Sequence, residues 1–105
     1  GADPRQLEAA LRLSGLNVLA GEMSVSDLKH FCNTNRPVIC LVCWEPESVS
    51  HYVVVKGVKH NKVFVHDVQI GHAHATLIKW GRMWKATGRL NEVFQCWGIA
   101  AWPTV

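Results

Sequence analysis

Long apolar runs are absent from this 105-residue chain. The longest, Val38 to Trp44, covers seven residues, whereas a bilayer-spanning helix needs about 20. The N-terminus has no charged-then-apolar layout of the kind that marks a signal peptide. Charge is sparse too, at 18% of residues against 49% hydrophobic, a balance that excludes a disordered tail. No repeat, linker or low-complexity segment interrupts the chain, so residues 1–105 read as one domain. A net charge of +3 is too small to argue for nucleic acid, and no aromatic-interleaved basic motif accompanies it. The first residue is Gly1 and not methionine, as expected of a piece of a longer protein.

What is present is tryptophan, five of them, enough to fill a core or line a groove. Basic residues gather in the second half, where Lys56, Lys59, Lys62, Lys79, Arg82, Lys85 and Arg89 read as a solvated basic face. Cys40 and Cys43 are three apart and would face opposite sides of a strand. With Cys32 and Cys96 they read as reduced thiols, which points to the cytoplasm. His66, His72 and His74 include a His-x-His spacing but no clear fourth ligand, so neither a metal nor another cofactor is expected.

Asp3-Pro4 opens a helix over Pro4–Ser14 that Gly15 is placed to end. Asn17 to Ala20 suits a short strand. Ser24 with Asp27 starts a helix over Val25–Cys32. After Arg36-Pro37 the period changes, and Val38–Trp44 reads as a central strand. A polar loop leads to His51–Val58 and Val63–Asp67, which form a β-hairpin. Gly71 to His74 reads as a loop, Thr76–Trp84 as a helix, residues 85–91 as a loop, and Val93–Trp102 as a last strand. Helices first and antiparallel strands after make an α+β plan.

The stretch from Arg36 to Asp67 also resembles a known family, the papain-like cysteine peptidases that process bacteriocin leaders. Arg36-Pro37-Val38-Ile39 resembles the segment that opens their first strand. Ser50-His51-Tyr52-Val53-Val54-Val55 resembles the strand that begins with the catalytic histidine. Val65-His66-Asp67 resembles the strand that ends on the aspartate. Gly1 to Leu7 and Leu77 to Trp84 are similar to flanking helices, so the resemblance covers most of the chain. It implies a papain-like fold with N-terminal helices packed on an antiparallel sheet. It also implies that His51 and Asp67 are catalytic and that a peptide is the substrate or ligand. The family's cysteine, preceded by a glutamine, lies in an N-terminal helix upstream of where this chain begins. The domain is therefore expected to be N-terminally incomplete relative to the family. A missing segment or a second chain, as in a dimer, would supply the nucleophile, and attachment to a membrane exporter is implied. Asp67 is followed by Val68 where the family has proline.

Hairpin register decides whether the pair can form. With a two-residue turn of His60-Asn61, Asp67 opposes Val54 and faces away from His51. With a three-residue turn of Lys59-His60-Asn61, or an equivalent bulge, Asp67 opposes Val53 on the face of His51. The expectation is the three-residue turn, with Asn61 at positive φ and Trp44 and Tyr52 as walls of the peptide site. Two other readings stay open. One is a non-catalytic peptide-binding module. The other is a permuted hydrolase using Cys96, which Gln95-Cys96-Trp97-Gly98 suggests weakly because it lies in an apolar run.

Overall fold

A computed structural model describes residues 3–43, 50–87 and 93–104 of the chain, with the side chains of residues 86 and 87 left out. The elements run α1 (Pro4–Leu13), β1 (Leu16–Glu22), α2 (Val25–Asn33), β2 (Val38–Cys43), β3 (Ser50–Lys59), β4 (Lys62–Asp67), β5 (Gly71–Thr76), α3 (Leu77–Met83), β6 (Lys85–Thr87), β7 (Val93–Gln95) and β8 (Trp97–Pro103). Six strands make one sheet in the order β1-β8-β2-β3-β4-β5, and β6 and β7 pair separately. Every pairing in the large sheet is antiparallel. The α+β plan holds.

Local chemistry starts the helices where the residue types predict. The Asp3 carboxylate accepts from the Arg5 amide at α1, and Ser24 and Asp27 form a reciprocal capping box at α2. One face of the sheet then closes the core. Val38, Cys40, Val42, Val53, Val55, Val63 and Val65 are buried against Leu28 and Phe31 of α2 and Trp80 and Met83 of α3. Each such aliphatic burial stabilises by about 1.5–3 kcal/mol. On the opposite face, Leu41 and Phe94 form a smaller cluster with Tyr52 and Trp97.

Four expectations change. Gly71 to His74 is strand and not loop, pairing its length with β4. Its inward residues, Gly71, Ala73 and Ala75, are small, so the usual β-branched signal is missing. Residues 85–87 are strand β6, not loop. The run over residues 93–102 is not one strand. Cys96 breaks it at φ 53°, its amide donating to the Trp84 carbonyl at 2.8 Å, so that β7 pairs with β6 and β8 with β1 and β2. The hairpin turn has two residues and not three. His60 and Asn61 both have positive φ (52° and 60°), and Lys59 opposes Lys62, the geometry whose twist suits the flanking strands. A β-bulge then shifts the register between Val55 and Gly57, leaving Lys56 as the extra residue. Beyond it Val53 opposes Asp67.

Candidate active site

That bulge sets the site. On the turn side of Lys56 the inward residue of β3 is Val58. Past it the inward residues become Val55, Val53 and His51. Asp67, the last residue of β4, opposes Val53 and is the diagonal neighbour of His51, about 7–8 Å away at the backbone. The side chains close this distance: His51 Nε2 lies 2.6 Å from Asp67 Oδ2.

Asp67 is the buried charged residue among the described ones, at 2% exposure, and a carboxylate in such a place must be fully bonded. Its second oxygen, Oδ1, accepts the amide N–H of Gln69 at 2.7 Å and that of Ile70 at 3.4 Å. Burial pushes the Asp67 carboxyl up. The Gln69 amide, the His51 ring and the Ile70 amide together outweigh it and hold the group below the ordinary carboxylate range. An ionised carboxylate can only accept, so Nε2 carries the ring's hydrogen toward it and Nδ1 becomes the basic nitrogen of the neutral imidazole. The His51 side chain keeps 29% of its surface exposed. An imidazole fixed in one tautomer by a buried carboxylate, with one side open, can take a proton from a nucleophile and return it.

Placement separates the other candidates. Tyr52 follows His51 along the strand and points to the opposite face, where it packs with Leu41, Phe94 and Trp97. Trp44 lies outside the described residues. Cys40 shares the face of His51 but is fully buried. Burial, reinforced by Cys32 and Cys96, pushes its thiol well up. Burial also raises Cys32, whose Sγ lies 3.6 Å from the Val55 carbonyl, and Cys96 at its bend. A nucleophilic cysteine needs the reverse shift. Cys43 faces away from His51. His66 and His72 oppose each other with ring centroids 4.8 Å apart. Among the described residues no group of three or more His, Cys, Asp or Glu converges on one point.

The Gln69 and Ile70 amides were not legible from residue types. An aspartate ending a strand before a tight turn was the available signal, since Asp readily accepts from amides two and three residues on. The same turn leaves Val68 90% exposed and Ile70 64% exposed beside Asp67.

An antiparallel α+β domain with a histidine–carboxylate pair at one end of its sheet has the character of a cysteine-peptidase-like hydrolase domain. Residues 1–87 match the Peptidase C39 family, and the chain belongs to that family. No curated protein matches the chain. Among the described residues no helix is long and apolar enough to cross a membrane.

Proposed function

We propose that the chain is the histidine- and aspartate-bearing part of a papain-like cysteine peptidase that removes leader peptides. The observation that carries this reading is the 2.6 Å bond from His51 Nε2 to the buried Asp67 carboxylate. His51 accepts the proton of a cysteine thiol at Nδ1 and delivers it to the leaving amine. Asp67 holds the tautomer and gives the imidazolium a counter-charge. The nucleophile comes from a cysteine outside these 105 residues, on an adjoining segment or on a different chain. Supporting this, burial raises Cys32, Cys40 and Cys96, and Cys43 lies on the other face. Peptide contacts fall beside His51 and Asp67, where Val68 and Ile70 of the turn after Asp67 stand exposed, and Trp44, outside the described residues, is kept as a candidate wall. Tyr52, packed on the other face, is left out. A double-glycine leader as substrate, a cytoplasmic site with reduced thiols, and attachment to an exporter complete the proposal.

The buried thiols favour one second reading, a module of the same fold that holds peptides without cutting them. The test assays a gene product that includes this chain against a double-glycine peptide, with His51→Ala as control. Cleavage that falls by about 10³-fold or more in His51→Ala is the expected result. Peptide binding with no cleavage would make the holding module the better answer. Turnover by the 105-residue chain itself, abolished by Cys96→Ala, would move the nucleophile to Cys96.

A further inference from the structure

The bulge that aligns His51 with Asp67 also re-aims Lys56, and bulges commonly serve to turn a side chain toward a site. Lys56 borders a cleft of about 490 Å³ beside the C-terminal end of α2, with Asn35, Arg36, Pro37, Val54 and His66 among its walls. Among the described residues its charges are of one sign: Arg36 and Lys56 are basic, and no carboxylate lines the cleft. Nor does any described carboxylate pair with Arg36, Lys56, His66 or His72.

These groups are also held in place. The Lys56 ammonium donates to His72 Nδ1 at 2.7 Å, and the His72 ring meets the edge of His66 at 4.8 Å between centroids. The Arg36 guanidinium lies over the Trp102 ring, 4.2 Å from its centroid, which occupies its face and leaves its N–H edge for hydrogen bonds. The chain reaches Arg36 through Asn35, whose φ of 58° turns it out of α2. Asn35 adds an uncharged donor, and Pro37 and Val54 add apolar wall.

We propose that this cleft binds a small organic phosphate. Two fixed cations match a phosphate monoester, which carries about −1.5 to −2 at neutral pH, better than they match a single carboxylate. The volume exceeds what a bare phosphate fills and falls within the range of small-molecule sites, about 300–1,000 Å³. Pro37 and Val54 give the organic part an apolar surface. Lys56 and His66 point away from the face of His51 and Asp67, so the cleft is separate from the candidate peptidase site and does not depend on that reading.

The probes are adenosine 5′-monophosphate and inorganic phosphate, titrated into the 105-residue chain by calorimetry and by amide NMR. The monophosphate should bind with Kd below about 1 mM and shift the amides of Asn35, Lys56 and His66 more than that of His51. Lys56→Gln and His66→Gln, both at exposed positions, should each weaken binding by about tenfold, the scale of one charge-assisted hydrogen bond, without changing the melting temperature. Arg36→Ala is a poorer probe because it also removes the contact with Trp102. No binding at about 10 mM, undiminished binding in Lys56→Gln, or shifts centred elsewhere would overturn the proposal. Inorganic phosphate binding as tightly as the monophosphate would also overturn it and leave an adventitious ion only.

Discussion

The two oxygens of Asp67 have separate tasks: Oδ2 holds the ring of His51, and Oδ1 ties down the turn through the amides of Gln69 and Ile70. Removing the carboxylate therefore strands a ring nitrogen and two amides at once. Asp67→Ala is expected to cost about 0.5–1.5 kcal/mol for each of these hydrogen bonds lost, read as a melting temperature lower by at least about 4 °C. An unchanged melting point would show that water replaces the carboxylate at no cost. The same bonds set an acid limit. The folded carboxyl lies below its ordinary value of 3.8, so its contribution is fully present above that value and is lost as pH falls through the lower, folded one. Wild type and Asp67→Ala should therefore converge in stability only at pH values below about 4, and a gap that closes near neutrality would contradict this. Cys40, fully buried with its thiol raised, should resist a thiol reagent until the protein unfolds. Rapid labelling of Cys40 in mass spectra of the folded protein would show that the core opens there.

At the level of elements, the β3–β4 hairpin carries the register. A two-residue turn alone would put Asp67 opposite Val54, and the bulge at Lys56 corrects this by one residue. Deleting Lys56 regularises the ladder yet keeps Val53 opposite Asp67, so the His51–Asp67 bond should survive. Deleting Val54, on the other side of the bulge, advances His51 by one position and should abolish it. The downfield ring N–H resonance of His51 reads both outcomes, and its loss on deleting Lys56 would refute this account of the register. The bulge did leave a trace in the amino-acid order, since the inward valines 53, 55 and 58 are spaced two and then three apart. Read as plain alternation, that spacing suggests a longer turn. Helices with caps were legible nearly to the residue, as at Pro4 and Ser24. Strand β5 was not, because glycine and two alanines face inward where valine or isoleucine would have marked it. Neither was the bend at Cys96, because nothing in a run of apolar residues shows which one takes positive φ. The two residues of the candidate pair were legible from resemblance, whereas their contact depended on a bulge that pairing alone defines.

Across the whole molecule, the last strand lies inside the sheet. β8 sits between β1 and β2, joining Leu16 to Pro103 and Ile39 to Ile99, although the family match ends at residue 87. Ile99 and Ala100 are fully buried, and Gly98 lets the strand pass Met23, whose Sδ would lie 2.7 Å from an added Cβ. Losing β8 would uncover both neighbouring strands and detach β1 with α1 from the rest. Ile99→Ala alone is expected to cost about 2–5 kcal/mol, already a large part of the roughly 5–15 kcal/mol that holds a domain together. A chain ended after Gln95 loses that side chain, Ala100 and two strand ladders together, and should show no cooperative melting transition by circular dichroism. The point variant should still fold and melt at lower temperature, which separates weakened packing from a lost strand. If the truncated chain instead melts cooperatively, β1 closes onto β2 without β8. The region matching the family would then be a folding unit by itself, and the C-terminal strand an addition to it.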